Sequence, residues 1–200
     1  MDRDDQEFDV VFIGGGSATE ASAPRLAEAG LDVLVLEPGD VGGECPFTAC
    51  IPSKALLTPA RALYEAAQSQ GVSVPRIDVA EVFELRDRVT SGGSDTEHVA
   101  SLEAAGVRLS RSHGRISGPR SVELIEEGRT VHARRAVVVA TGAGPVMPDL
   151  PGIDSRRVGP AADLTTVQSV PDRLVILGAG VIGCELAQAF AVLGSQVTVL

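Results

Sequence analysis

Two cysteines five positions apart lie in the segment GGECPFTACIPSK, residues 42–54, and they are two of only three cysteines in 200 residues. Such a pair can form a disulfide that opens and closes, act as two inert apolar side chains, or supply half of a zinc site. Zinc would need two further ligands, and the other candidates are Cys184 and three scattered histidines. We favour a redox pair and expect no metal, with both alternatives kept open.

The spacing of Cys45 and Cys50 restricts the backbone that could join them. In a regular helix their Cα atoms would lie about 8.6 Å apart, whereas a disulfide tolerates a Cα separation of at most about 7 Å. Pro46 and Pro52 disfavour a regular helix here, because proline lacks an N–H and restricts the residue before it. The sequence therefore predicts a distorted turn between the two cysteines.

Composition defines the broad class of protein. Apolar residues make up 44% of the chain and charged residues 22%, which is enough apolar surface for a buried core. The net charge of -10 disfavours nucleic acid or an anionic membrane as a partner, because both attract basic faces. The acidic residues 1–7 lack the apolar core of a signal peptide, and no apolar run of membrane-spanning length follows. We expect a cytoplasmic protein. In that compartment a disulfide is expected to open and close during a reaction rather than to stabilise the fold permanently.

An internal repeat indicates the fold around this segment. Residues 8–37 align with residues 172–200 at a constant offset of 164, which pairs Gly14 with Gly178 and Gly16 with Gly180. Each copy predicts an apolar β-branched strand, a glycine turn, a helix that ends at a glycine, and a second strand. This is the βαβ unit of a parallel sheet, and two copies predict an α/β fold of the Rossmann type.

Such a glycine turn binds dinucleotides for a physical reason. The first glycine permits the tight turn, the second lets the backbone approach the pyrophosphate, and the helix N-terminus attracts the anion. The second copy is complete in Gly178, Gly180 and Gly183. The first copy has Thr19 at the third position, and we expect this β-branched side chain to push the helix away from the strand. Glu37 ends the second strand of that copy, where a carboxylate accepts hydrogen bonds from ribose hydroxyls.

Between the two copies the pattern predicts helices, a small sheet and a linker. Residues 53–70 and 78–105 are predicted helical, the latter with an interruption near 91–94. Three segments alternate with period two and predict an antiparallel meander whose last strand, Ala136 to Ala140, is buried. These segments are residues 107–117, 121–127 and 129–141. Residues 143–171 are rich in Pro, Gly and Asp and predict a linker.

The cysteine segment resembles the signature of the flavin-dependent pyridine nucleotide-disulfide oxidoreductases, the family of dihydrolipoamide dehydrogenase, glutathione reductase and mercuric reductase. Its pattern of a glycine pair, two cysteines and Pro-Ser-Lys runs here from Gly42 to Lys54, and the similarity extends over essentially all 200 residues. The resemblance implies a three-layer, Rossmann-like FAD-binding domain at 1–150 that includes the meander and the disulfide. A linker at 151–171 and the incomplete start of an NAD(P)-binding domain at 172–200 would follow.

The resemblance also implies roles for individual residues. FAD would contact Gly14, Gly16, Glu37, Gly43, Gly114, Thr141 and Gly142. NADH or NADPH would bind at Gly178, Gly180 and Gly183. A hydride would pass from the nicotinamide to the flavin, whose electrons open the Cys45–Cys50 disulfide. Cys50 would be the charge-transfer thiolate facing the flavin, and Cys45 the thiol that meets the substrate.

Expectations for five further residues complete the comparison with the family pattern. Lys54 would lie by the flavin and pair with Glu185, both as catalytic residues, with Lys54 also in the cofactor site. Cys184 is expected to pack as a small core residue. Glu44 stands where the family usually has threonine, and its charge near the FAD phosphates should weaken binding. Ala49 would cost on the order of 1 kcal/mol if its position requires a positive φ.

The implied activity is FAD-dependent NAD(P)H:disulfide oxidoreduction of the dihydrolipoamide dehydrogenase type. The substrate would be a small-molecule disulfide or dithiol, or a protein-bound lipoyl group, with lipoamide, glutathione-like disulfides, mercuric ion and quinones all open. The choice between NAD and NADP is open as well. The family is homodimeric and longer than this chain, and its dimerisation domain has no counterpart in these 200 residues. The alternative is therefore a truncated fragment that binds FAD without turnover of its own.

Overall fold

The computed structural model describes residues 6–71, 73, 76–153 and 157–200. Residues 1–5 of the acidic N-terminus and residues 154–156 of the predicted linker lie outside the described residues. The chain forms two compact units. Unit 1 comprises Met1–Cys45 and Ser94–Gly144, and unit 2 comprises Pro46–Gly93 and Pro145–Leu200.

The elements follow one another in the order expected of two βαβ units with inserted helices. They are β1 (Glu7–Ile13), α1 (Ser17–Glu28), β2 (Val33–Leu36), α2 (Glu44–Phe47), α3 (Cys50–Gln68), α4 (Val79–Val89), α5 (Thr96–Ala104), β3 (Arg108–Ser110), β4 (Gly114–Gly118), β5 (Ser121–Leu124), β6 (Arg129–Val139), α6 (Ala161–Thr165), β7 (Arg173–Ile176), α7 (Val181–Leu193) and β8 (Gln196–Val199). A short 3₁₀ turn, Ser91–Gly93, separates α4 from α5, and the predicted interruption of the helix is therefore present.

The strands of unit 1 form one six-stranded sheet in the order β3-β2-β1-β6-β5-β4. The four strands β3, β2, β1 and β6 run parallel, with Val10 opposite both Val33 and Ala136. The pairs β4–β5 and β5–β6 are antiparallel. The Rossmann-like α/β fold is therefore present, with the antiparallel strands joined to the parallel sheet.

The first strand of the predicted meander is wrong in part. Residues 108–110 form β3, which pairs parallel with β2, and the antiparallel part begins only at Gly114. An alternation of period two shows that a strand has two unlike faces, but it does not choose the partner strand. Here α5 precedes β3 and packs against it, and β3 pairs with β2.

Side chains of β1 alternate between two apolar layers. Val11 and Ile13 belong to one buried cluster, and Val10 and Phe12 belong to the other. This is the arrangement of a parallel strand covered on both faces. The predicted burial of Ala136 to Ala140 in β6 is wrong in part. Ala136 is exposed and Val139 is 61% exposed, whereas Val137 and Val138 are half-buried and pack against the two apolar clusters. The contacts of α1 and α5 concentrate on β2 and β3.

In unit 2, helices α3 and α4 pack against helix α7 of the second βαβ unit. Strands β7 and β8 pair in parallel, with Leu174 opposite Val197. The buried cluster joins α3, α4 and α7 through side chains that include Leu56, Phe83 and Phe190. The predicted helix at 53–70 is confirmed and begins earlier, at Cys50. Across the described ranges, no helix is both long and apolar enough to cross a membrane.

A carboxylate in the turn between β5 and β6 binds the segment that precedes β4 in unit 1. Glu126 accepts hydrogen bonds from the Ser112 hydroxyl and the His113 N–H, both at 2.7 Å, and its other oxygen lies 2.6 Å from His113 Nδ1. The His113 ring, followed by the Ser112 hydroxyl, lowers the pKa of Glu126 from 4.5 to about 2. These contacts hold the segment before β4 in place.

The pH dependence of stability should reveal this carboxylate. Its pKa is lower in the folded chain than in the unfolded one, so its contribution is complete above pH 4.5 and is lost as the pH falls to about 2. We expect Glu126→Gln to reduce the loss of unfolding free energy across that interval, as measured by urea denaturation. An equally steep acid dependence in both proteins would contradict this role of Glu126.

Candidate functional site

The first glycine turn is built from backbone that leaves no room for side chains. Gly14 has a φ of 105°, and its N–H donates to the Leu36 carbonyl at 2.8 Å. A Cβ added at Gly14 would overlap the carbonyl oxygen of Ala140. Helix α1 then begins after Gly16, which has extended backbone, and no side chain caps this N-terminus. The open N-terminus at the end of β1 suits an anionic ligand.

The second glycine turn repeats this geometry in unit 2. Gly178 also has a φ of 105°, and its N–H donates to the Leu200 carbonyl at 2.8 Å. Gly180 is the extended residue before α7, again without a side-chain cap. These hydrogen bonds join positions that differ by the offset of 164 found in the sequence. The two copies therefore share local structure as well as residue pattern.

The third position of the motif differs between the copies. A Cβ at Gly183 would overlap the carbonyl oxygen of Gly178, so α7 lies directly against its turn. The equivalent Thr19 is fully buried, and its hydroxyl donates to the Gly14 carbonyl at 2.6 Å. Thr19 thus replaces the close backbone approach at Gly183 with a side-chain hydrogen bond, and the expected displacement of α1 from the strand stays a prediction.

Glu37 lies half-buried at the end of β2 and faces the first glycine turn. Its two oxygens accept the N–H groups of Gly15 at 2.7 Å and Gly39 at 2.8 Å. Each carboxylate oxygen can accept a second hydrogen bond, so the side chain is fixed in place and still able to bind hydroxyl groups.

Two residues that the sequence did not single out hold the loop after Glu37. Asp95 accepts the Val41 N–H at 2.9 Å, and Arg111 donates to the Asp95 carboxylate at 2.5 Å and to the Gly39 carbonyl. Burial raises the pKa of Asp95, but the Val41 N–H and Arg111 outweigh it and lower the pKa overall. The sequence carries no signal for this pair, because the two residues lie far from the loop along the chain.

The remaining residues of the predicted FAD set surround the same end of the sheet. A Cβ on Gly43 would lie 3.1 Å from Gly16 Cα, so the two backbones are in close approach. Gly114 lies against Leu36 and Ile13, whose side chains would be 2.8 and 3.1 Å from an added Cβ. Thr141 and Gly142 are exposed and directly follow Ala140. All predicted FAD contacts of unit 1 therefore lie at the carboxyl ends of its parallel strands, where α/β folds bind ligands.

The cysteine segment contains a break in helical structure. Cys45 is half-buried in the short helix α2, and Cys50 is the exposed first residue of α3. Thr48 and Ala49 between them are not helical, so the predicted interruption is present. Ala49 has a φ of -121°, and the strain of a positive φ does not arise. The structure describes all three cysteines as thiols.

Lys54 and Glu185 meet within unit 2. Lys54 Nζ lies 2.8 and 2.6 Å from the two Glu185 oxygens, with the lysine side chain 56% exposed and the glutamate 24%. The ion pair joins the N-terminal parts of α3 and α7, since each residue is the fifth of its helix. The expectation for Cys184 is wrong, because this residue is exposed, and its thiol lies 3.4 Å from the Ala179 carbonyl. The buried face of α7 is formed instead by Leu186, Ala189, Phe190 and Leu193.

No group of three or more His, Cys, Asp or Glu side chains within the described part of the chain could hold a metal ion.

Comparison with known proteins identifies the family. The model of the pyridine nucleotide-disulphide oxidoreductases matches residues 8–200, and the chain belongs to this family. It is 30% identical to a mercuric reductase of Bacillus cereus over 203 residues, which cover 100% of this chain and 32% of that protein. It is 33% identical to dihydrolipoyl dehydrogenase 3 of Haloarcula marismortui, over 96% of this chain and 42% of that protein.

A solved structure shares the fold. The HOCl-induced flavoprotein disulfide reductase RclA of Escherichia coli, in its Cu(II) complex, is 27% identical, with a TM-score of 0.79 over 96% of this chain and 41% of RclA. The chain thus spans about a third to two fifths of the length of the relatives it matches. Members of this family are oxidoreductases that use FAD and NAD(P)H.

The contrast between Gly183 and its neighbour Gly180 gives a test of the second turn. We expect Gly183→Ala to lower the free energy of unfolding by about 2–3 kcal/mol, because the added Cβ meets backbone that cannot move aside. Gly180→Ala adds a Cβ with nothing within 4 Å and should cost less than about 1 kcal/mol. Urea denaturation of both variants measures the difference. Equal losses would show that α7 does not pack closely on its turn.

Proposed function

We propose that the chain is the part of an FAD-dependent NAD(P)H:disulfide oxidoreductase that binds FAD in unit 1 and carries the redox pair Cys45–Cys50. The observation that carries the proposal is the uncapped N-terminus of α1, flanked by the glycine turn and by the Glu37 carboxylate. Glycines at Gly14, Gly16 and Gly43 leave space for a pyrophosphate, and Glu37 can accept ribose hydroxyl groups. The residues present therefore fit FAD.

Residues of the chain would then have distinct tasks. Bound FAD supplies the two-electron chemistry that connects a hydride donor with a disulfide. Cys50 and Cys45 would hold the electron pair as two thiols, with Cys45 exchanging with the substrate. Lys54 would place a positive charge beside the redox site, and Glu185 would fix the direction of its side chain through the ion pair.

The finer assignments belong to the same proposal. The substrate class is a disulfide or dithiol, small or carried on a lipoyl group, and the relatives include both a mercuric reductase and a dihydrolipoyl dehydrogenase. We propose NADH or NADPH binding at Gly178, Gly180 and Gly183, where α7 is also uncapped. A cytoplasmic location, a homodimer and cofactor domains at 1–150 and 172–200, joined by a linker at 151–171, complete the proposal.

A second candidate function is FAD binding without turnover by these 200 residues. The observation that favours it is the number of large apolar side chains exposed in unit 2, among them Val175, Val181, Ile182 and Leu200. Such a surface is typical of a face that other protein normally covers.

FAD binding provides the first test. Titration of the chain with FAD, followed by flavin fluorescence, should show about 10- to 100-fold weaker binding in Glu37→Gln, because charge-assisted bonds to the ribose are lost. Glu44→Gln is the matched control, since it removes the same charge close to the expected phosphates and should bind FAD at least as tightly as the unaltered chain. Equal weakening in both variants, with thermal unfolding unchanged, would contradict the assigned site.

Electron counting tests the redox pair. Anaerobic reduction of the oxidised, FAD-bound chain should consume one electron pair more per FAD than reduction of Cys50→Ser, and should produce two thiols from the Cys45–Cys50 disulfide. Cys184→Ser should behave like the unaltered chain. FAD binding without the additional electron pair would support the second candidate function, and failure to bind FAD would contradict both.

A further inference from the structure

A hydroxyl from another part of unit 2 contacts the backbone between the two cysteine positions. Thr165, at the end of α6, is 2% exposed, and its hydroxyl oxygen lies 2.9 Å from the carbonyl oxygen of Thr48. The same hydroxyl lies 2.8 Å from the Ala162 carbonyl, so its single proton is shared between two acceptors. Thr48 and Thr165 are separated by 117 positions in the sequence, and the contact is therefore a product of the fold.

The acceptor in this contact cannot receive the usual hydrogen bond of a continuous helix. In a continuous helix the Thr48 carbonyl would accept the N–H of residue 52, four positions later. Residue 52 is proline and has no N–H. The hydroxyl of Thr165 thus supplies a donor where the local helix cannot, at the two-residue break between α2 and α3.

Thr165 is itself held by a buried arginine. Arg86 is 2% exposed, and its Nη1 donates to the carbonyl oxygens of Thr165 at 3.4 Å and Val167 at 2.5 Å. Its Nε donates to Asp87 at 2.8 Å, and its guanidinium lies 4.7 Å from the centre of the Phe83 ring. A guanidinium fixed on two sides in this way restricts the backbone that carries Thr165.

A partly open cavity lies next to the cysteine segment. It has a volume of about 280 Å³, and its lining residues include Phe47, Pro52, Arg86 and Thr165. Phe47 ends α2, and Pro52 lies in the first turn of α3. Both ends of the break therefore lie near the arginine and threonine that hold it.

We propose that Thr165, held by Arg86, is a positioning residue for the redox pair. This inference depends on the proposed function, in which Cys45 and Cys50 form a disulfide. A donor to the Thr48 carbonyl maintains the break that lets the backbone depart from regular helix, in which the two Cα atoms would be about 8.6 Å apart and too distant for a disulfide. Loss of the Thr165 hydroxyl should therefore make encounters between the two thiols less frequent. This lowers the effective concentration of one thiol at the other and disfavours the disulfide.

The test is the disulfide equilibrium with glutathione. Two protein thiols become one disulfide as one oxidised glutathione is reduced to two glutathione thiols, so the equilibrium constant measures how readily the pair closes. The full chain carrying Cys184→Ser is equilibrated in glutathione buffers, and free thiols are counted by alkylation and mass. The variants are Thr165→Val, which removes the hydroxyl at similar size, and Thr165→Ser, which retains it.

Thr166→Val is the matched control. The Thr166 hydroxyl also contacts carbonyls of α6, those of Ala162 at 3.4 Å and Asp163 at 3.1 Å, and it is exposed. The variant therefore removes a threonine hydroxyl from the same end of the same helix without removing a donor to Thr48. Circular dichroism and thermal unfolding establish that each variant is folded.

We expect Thr165→Val to lower the equilibrium constant about 3- to 10-fold, the range of one hydrogen bond, with Thr165→Ser and Thr166→Val within about 2-fold of the parent. An unchanged or higher constant in Thr165→Val, or equal effects in all three variants, would overturn the inference. If Thr165→Val does not fold, Thr165→Ala is compared with Thr165→Ser by the same criterion. Absence of any Cys45–Cys50 disulfide in the parent would instead overturn the proposed function.

Discussion

Unit 1 depends on one steric constraint. Backbone segments approach each other so closely at its glycine turn that no side chain fits between them. At the carboxyl end of β1, Gly14 lies against Ala140 after β6 and donates its N–H to Leu36 at the end of β2. A side chain at Gly14 would separate these strand ends and displace the start of α1. The same absence of side chains leaves the N-terminus of α1 open, so one steric requirement of the sheet also produces the proposed anion site. The turn at Gly178 has the same hydrogen bond and the same φ.

Charged side chains held in fixed positions complete the proposed anion site at this glycine turn. Glu37 is held by two N–H groups before any ligand binds, and the loop that follows it is tied down through Asp95 and Arg111. In the proposed role, a carboxylate held in this way would lose little conformational freedom on accepting ribose hydroxyl groups, which is the advantage of preorganisation. In unit 2 the pairing of Lys54 with Glu185 fixes a lysine that would otherwise sample many rotamers.

The cysteine segment depends on a different kind of support. Pro46 and Pro52 prevent the chain from forming one continuous helix, and the structure shows a break at Thr48 and Ala49. Backbone groups at such a break need partners from elsewhere in the fold. Thr165 provides one of them and is itself held by Arg86, through hydrogen bonds between residues far apart in the sequence.

The sequence by itself determined the local units: both βαβ copies, the helix at 53–70, the interruption after α4, and the break between the cysteines. These follow from periodicity, glycine and proline, which act within a few residues. Only the tertiary structure decided that β3 joins β2, that Ala136 and Val139 are exposed, and that Cys184 lies outside the core. It also decided that Asp95, Arg111, Arg86 and Thr165 support the candidate sites. These features depend on which distant segments of the chain come into contact. They include the partner of each strand, the burial of each side chain and the partners of charged groups. A local residue pattern does not determine such contacts.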